Sequence, residues 1–140
     1  MDPIARRILP EAFTPKRLTR YDLSLARRTH TGRPEFDKHV VGPKVAQGDE
    51  LVGVATAPSR RLFEMTFVCE DIRPPVQGRA VCLLDIVEPT DHDGHAALGY
   101  SEDQNVLNEK QKKKVRARIH HDLADAFGDL DPIDDVPFGT

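Results

Sequence analysis

The sequence predicts an α+β fold: an antiparallel three- to four-stranded β-meander packed by one long C-terminal helix, with a shorter N-terminal helix. Two patterns indicate this class. Apolar side chains alternate along residues 61–71 and 79–87, as in strands of a half-buried sheet. Over residues 107–127 they recur at multiples of four, as on the buried face of a helix. A chain of 140 residues has room for one domain with one core.

The N-terminal helix is predicted over residues 15–30. Thr14 followed by Pro15 is a favourable helix start, and Gly32 is a typical helix end. The apolar residues between them recur at helical spacing: Leu18, Tyr21 and Leu25. Residues 31–48 contain three glycines and two prolines. They are predicted to form a long connector that holds at most one short strand.

Three strands are predicted next, over residues 50–57, 61–71 and 79–87. The alternation assigns to the core face Phe63, Met65, Phe67 and Cys69 from the second strand, and Ala80, Cys82, Leu84 and Ile86 from the third. Residues 73–78 are predicted to be a loop, and a hairpin centred there places Cys69 opposite Cys82. Two buried, reduced cysteines are the expected state, and a disulfide is the alternative.

The C-terminal helix is predicted to run from residue 101 to residue 127. Ser101 and Gln104 have the spacing of a capping box, and Gly128 stands where a helix commonly ends. The residues expected to pack on the sheet are Val115, Ile119, Leu123 and Phe127. Such a helix is about 40 Å long. A small sheet covers less than that length, so the N-terminal helix or a partner subunit is expected to cover the rest.

The charge distribution predicts three segments: an N-terminal arm (1–13), a single domain (14–128) and an acidic C-terminal tail (129–140). Residues 1–44 carry ten Lys and Arg against five Asp and Glu, although the chain as a whole has a net charge of −3. The tail alternates acidic with apolar residues, a composition that cannot build a core alone. Both ends are therefore predicted to be recognition arms that become ordered mainly in a complex.

The predicted partner-binding residues combine the basic N-terminal residues, the basic stretch of the C-terminal helix and the apolar residues of the tail. They are Arg6, Arg7, Lys16, Arg17, Lys112, Lys113, Arg116, Leu130, Ile133 and Phe138. Basic side chains steer the approach of an acidic partner, and apolar residues contribute most of the affinity. The expected partner is another protein or a larger assembly. A nucleic acid is possible because a basic helix can follow phosphates.

A metal site is a further hypothesis for residues 88–95. Histidine and carboxylate side chains are dense there, and His92, Asp93 and His95 are the candidate ligands. Their spacing matches no established metal motif, so a solvated loop is the default expectation and no cofactor is predicted.

These observations favour a non-enzymatic protein-interaction module, such as an accessory subunit, an adaptor or an inhibitor- or immunity-like protein. The alternatives are a nucleic-acid-associated protein that uses the basic helix and arm, and a small metal-dependent enzyme centred on residues 88–95. No catalytic residue is predicted, since nucleophile and phosphate-loop motifs are missing. No apolar run is long enough to span a membrane, and two cysteines without a signal peptide indicate a small soluble cytoplasmic domain.

Overall fold

A computed structural model confirms the predicted fold class: the chain is α+β, with antiparallel strands and a long C-terminal helix. The residues that the structure describes are 8–20, 23–28, 31–49, 51, 53–85 and 94–139. Within them the strands are distributed over two sheets. One sheet has the order β1-β5-β4, the other pairs β2 with β3, and every pairing is antiparallel.

The element bounds are as follows. The helices are α1 (Pro15–Thr19), α2 (Arg33–Phe36), α3 (Gly42–Ala46), α4 (Ser59–Glu64) and α5 (Glu109–Phe127). The strands are β1 (Leu23–Ala26), β2 (Thr66–Cys69), β3 (Val76–Arg79), β4 (Val81–Asp85) and β5 (His95–Tyr100). Short 3-10 segments cover Pro10–Ala12, Glu102–Val106 and Ile133–Asp135, and a π-helical segment, Asp37–Val41, joins α2 to α3.

Ala80 is the point at which the chain passes from one sheet to the other. Its amide donates to the Met65 carbonyl beside β2, and its carbonyl accepts from the Ser101 amide just after β5, at 2.9 and 3.1 Å. Ala80 and the next residue, Val81, are both buried. Two adjacent buried residues break the alternation, so the inward face changes there. The predicted inward face of strand 79–87 is therefore wrong at Leu84, and Ile86 lies outside the described residues.

The side chains of β4 show the consequence of that change. Leu84 was expected in the core but is 47% exposed, and Cys82 is only half-buried. The predicted pairing of the cysteines is also wrong. Cys69 lies opposite Val76, and Cys82 lies opposite Gly99. The cause is that β3 begins inside the predicted loop, which shortens the hairpin. Both thiols are free.

Residues 59–64 form α4, where the start of a strand was predicted. Leu62 rather than Phe63 enters the core, and Phe63 is 46% exposed. Side chains alternate between exposed and buried only from β2 onward, where Phe67 and Cys69 are buried as predicted. In the described part of residues 50–57 there is no strand, only a single bridge between Val54 and Asp131.

The N-terminal helix begins as predicted and ends early. The Thr14 side chain accepts from the Arg17 amide, and Pro15 occupies the first turn. The helix stops at Thr19 instead of residue 30, and β1 follows, paired with β5. Leu23 and Leu25 pack against the core from this strand. A tertiary partner for the backbone thus outweighs the helical spacing of the apolar residues.

The predicted connector over residues 31–48 is largely helical. Pro34 lies in the first turn of α2, where its missing N–H costs nothing. Pro43 cannot donate to the carbonyl four residues earlier, and its ring crowds that carbonyl. The π-helical segment accommodates this defect, because the Gly42 amide donates to the Asp37 carbonyl, five residues back. The glycines and prolines of this stretch therefore change the hydrogen-bond pattern of the helix, but they do not prevent a helix from forming.

The C-terminal helix begins later than predicted. Residues 102–106 form a 3-10 segment, and α5 begins at Glu109 behind a capping box. In that box the Gln111 amide donates to Asn108 Oδ1, and the Asn108 amide donates to Gln111 Oε1, both at 2.9 Å. Gly128 ends the helix with a φ of 68°, as predicted.

The core lies between α5 and the two sheets. The buried residues of α5 are Val115, Ile119, Leu123, Ala124 and Ala126. Phe13 is buried against Phe127, with ring centroids 5.9 Å apart, so the described end of the predicted N-terminal arm contacts the core. Among the described residues, no helix combines the length and apolar character needed to cross a membrane.

Truncating the central core residue of α5 tests this packing. Leu123 is fully buried, so we expect Leu123→Ala to lower the free energy of unfolding by about 2–5 kcal/mol through lost burial and a cavity. The matched control is Lys113→Ala on the exposed face of the same helix, which we expect to change stability by less than about 0.5 kcal/mol. Equal urea midpoints for the two variants would contradict the packing.

Candidate partner-binding surface

The basic residues of α5 mostly hold partners within the chain. The ion pairs are Lys112–Glu109, Lys114–Asp71 and Arg118–Asp122, with N–O distances of 3.6, 3.2 and 3.3 Å. Arg116 places its guanidinium 4.0 Å from the centroid of the Tyr100 ring. Lys113 is exposed, whereas Lys112 and Arg116 are half-buried. Of these three predicted partner-binding residues, the structure presents Lys113 most fully to solvent.

The other predicted binding residues are dispersed. Lys16 and Arg17 are exposed on α1, while Arg6 and Arg7 lie outside the described residues. In the tail, Leu130, Ile133 and Phe138 are half-buried. A partner-binding role for all of these residues stays a prediction.

The tail lies on the helical segment that the sequence left as a connector. The Phe138 ring is 4.9 Å from the Phe36 ring, and Arg33 forms an ion pair with Asp134 at 2.9 Å. An apolar cleft of about 470 Å³ lies beside this contact. Its lining residues are Phe36, Val40, Val41, Lys44, Val45, Asp49, Leu51, Gly53 and Val54. The apolar tail residues thus have contacts within the chain itself.

The candidate metal ligands are only partly described. His92 and Asp93 lie outside the described residues. His95 begins β5, and its Nε2 lies 3.2 Å from the Ser24 hydroxyl. In the described part of the chain, no cluster of three or more His, Cys, Asp or Glu residues could hold a metal ion. The metal site stays a prediction.

A polar network connects β5, α5 and the 3-10 segment between them. The buried Gln104 donates through Nε2 to the Ala80 carbonyl at 2.7 Å and accepts from Arg116 Nε at 3.1 Å. The Tyr100 hydroxyl is hydrogen-bonded to His120 Nε2 at 2.5 Å. These hydrogen bonds connect the sheet to α5 and to the 3-10 segment.

The protonation states of this network follow from its burial. Burial raises the pKa of Tyr100 to about 12, although the nearby Arg116 charge lowers it. Burial also lowers the pKa of His120, and the positive charge of Arg116 acts in the same direction. Near neutral pH, Tyr100 is therefore protonated and His120 neutral. Which of the two groups donates the hydrogen bond depends on the imidazole tautomer.

One edge of the small sheet is covered and the other is open. The Ala80 amide donates to the Met65 carbonyl, so this opposed pair is hydrogen-bonded, and in an antiparallel ladder such pairs alternate. The Thr66 and Val68 backbone groups therefore point away from β3. In the described part of the chain, no strand pairs with β2 on that side. We call these groups the open edge of β2.

The far edge of β3 is covered at Arg79 by Asp103. The Arg79 amide points away from β2 and donates to Asp103 Oδ2 at 2.9 Å. The backbone approaches so closely that a Cβ on Gly78 would lie 2.7 Å from the Asp103 Cβ. A side chain thus takes the place of a further strand on this side.

A groove of about 480 Å³ separates the open edge of β2 from α5. It is lined by Thr66, Phe67, Val68, Glu70, Val115, Arg118, Ile119 and Asp122. Val68 is 49% exposed, and its backbone groups are those of the open edge. The lining thus combines unpaired backbone groups, an apolar floor from α5 and charges of both signs. We call this feature the β2 groove.

The sequence contains one signal for this groove. On the solvent face of the predicted strand, Val68 stands between Thr66 and Glu70, an apolar residue on a polar face. Alternation alone does not indicate which edge of a strand lacks a neighbour.

Comparison of the chain with models of known protein families, with curated proteins and with solved structures finds no match.

The depressed pKa of His120 predicts a dependence of stability on pH. The unfolded chain, with a histidine pKa near 6.5, binds this proton more readily than the folded chain. The contribution of neutral His120 to the free energy of unfolding is therefore fully present above about pH 6.5, and it is lost as the pH falls below that value. We expect His120→Gln to lose less stability than wild type between about pH 7.5 and about pH 5.

Urea unfolding at each pH measures this difference. The control is Ala117→Gln, a change at an exposed, non-titrating position of the same helix, which we expect to keep the wild-type dependence. If wild type and His120→Gln lose stability in parallel, burial does not depress the pKa of His120 as described here.

Proposed function

We propose that this chain is a non-enzymatic protein-interaction module, an accessory subunit, adaptor or inhibitor- or immunity-like protein, that binds an extended segment of a protein partner in the β2 groove. The observation that carries the proposal is the open edge of β2. An added strand would satisfy the outward N–H and C=O groups of Thr66 and Val68, which is how many domains recognise extended peptides.

The groove offers selectivity as well as hydrogen bonds. Alternate side chains of an added strand face opposite sides of the sheet. One set would face Val115 and Ile119 of α5, and the other would lie beside Val68 on the solvent side. Glu70 and Arg118 offer a charge of each sign. The preferred segment therefore alternates, with apolar residues at its centre and charged residues at its ends.

The ion pairs of α5 favour a protein over a nucleic acid as the partner. A nucleic-acid surface gains affinity from each phosphate that a free cation neutralises. Lys112, Lys114 and Arg118 already contact carboxylates within the chain. Phosphate contacts would therefore compete with these pairs within the chain, of which Arg118–Asp122 has the most exposed basic side chain. Two free thiols support a cytoplasmic setting for the proposed module.

Two proline variants separate edge pairing from general damage to the hairpin. Val68→Pro removes an N–H that points into the β2 groove, and it breaks no bond of the β2–β3 ladder. Gln77→Pro is the matched control. Gln77 lies directly opposite Val68, and its N–H points away from β2, like that of Arg79. Circular dichroism and thermal melting establish that both variants are folded.

The probe is a phage-displayed library of short random peptides, selected on dilute, immobilised wild-type protein. We expect selected peptides to alternate apolar and polar residues, to bind Val68→Pro at least about tenfold more weakly, and to bind Gln77→Pro like wild type. Failure to select any peptide, or equal binding to wild type and Val68→Pro, would contradict the proposal. Salt-sensitive binding of a random DNA or RNA oligonucleotide in place of peptides would favour the nucleic-acid alternative.

A further inference from the structure

We infer that the strand bound in the β2 groove is β2 of a second copy of this chain. This inference rests on the proposed function and names its partner. The two β2 strands would pair antiparallel about a two-fold axis. The sheet would then have the order β3-β2-β2-β3, with α5 of each copy beside the new pair.

The open edge is suited to pairing with itself. In a two-fold arrangement each residue meets its symmetry equivalent at the axis, and contacts on either side are reciprocal. With the axis at Val68, the two Val68 side chains, each 49% exposed in the single chain, lie opposite each other. Thr66 of each copy then lies opposite Glu70 of the other. This register brings the outward groups of both edges together and places no like charges opposite one another.

The charges of the groove agree with this occupant. The lining contains one guanidinium, from Arg118, and two carboxylates, from Glu70 and Asp122. Arg118 is 81% exposed on its side chain even though it lies 3.3 Å from Asp122. A groove of a single sign would repel a second copy of itself. In this groove each copy offers the other a cation and an anion, as a self-complementary interface requires.

The partly covered edge of β3 favours an assembly of two copies. Each copy uses its open β2 edge in the pairing, and Asp103 occupies the outer edge of β3 at the Arg79 amide. A further copy that added a strand to β3 would have to displace this carboxylate. The pairing therefore favours a dimer over a filament.

Sedimentation velocity of the full chain tests the inference over protein concentrations from about 1 µM to about 1 mM. We expect wild type to move from 15.7 kDa to twice that mass as the concentration rises. Val68→Pro should weaken the dimer at least about tenfold, and Gln77→Pro should leave it unchanged. Both variants keep their own ladder bonds, so a difference between them reports on the edge.

The possible outcomes separate this inference from the proposed function. A wild-type chain that stays at 15.7 kDa at every concentration overturns the second-copy inference. Peptides whose binding depends on Val68 would still support the proposed function in that case. A dimer that Val68→Pro leaves intact also overturns the inference, because such a dimer uses another surface. Dimerisation that is lost only in Val68→Pro supports it.

Discussion

The hydrogen bond from the side-chain amide of Gln104 to the Ala80 carbonyl, 2.7 Å long and fully buried, fixes the relation between the two sheets and α5. Ala80 is where the chain passes from pairing beside β2 to pairing with the end of β5. The other end of the same amide accepts from Arg116, which belongs to α5. Breaking this bond would leave the buried side-chain N–H of Gln104 unsatisfied, at a cost of about 1–3 kcal/mol, whereas the Ala80 carbonyl would keep the Ser101 amide as a donor.

The position of Gln104 also decides which sheet edge is open. The residue before it in the chain is Asp103, and the anchored 3-10 segment holds that carboxylate on the Arg79 amide. The far edge of β3 is covered at Arg79 as a result, whereas the outward groups of β2 face the groove beside α5. One buried amide thus links the core to the surface on which the proposed function depends. Binding by strand pairing needs no reactive side chain, because it uses the backbone N–H and C=O groups.

The sequence predicted what local spacing controls. It predicted the buried stripe of α5 through Val115 and Leu123, and the end of that helix at Gly128, because these depend on neighbours within one turn. The prediction failed where the local structure depends on contacts with residues distant in the chain. β1 was taken for helix because its pairing with β5 lies some 70 residues away in the chain. The start of α5 was misplaced because two cap signals compete, and Asn108 forms the full capping box. Among the site residues, the basic side chains could be read from the sequence, but the carboxylates that pair with them could not. The open sheet edge could not be predicted either, because it depends on which strands pair in the folded chain.

Residue-by-residue hydrogen exchange of β2, followed by NMR in dilute solution where the chain is monomeric, tests the central claim most directly. The account predicts that the Phe67 and Cys69 amides, which bond to β3, exchange slowly. It predicts that the Thr66 and Val68 amides exchange fast. Slow exchange at Thr66 and Val68 in the monomer would show that this edge is already covered, and would contradict both the open edge and the function built on it.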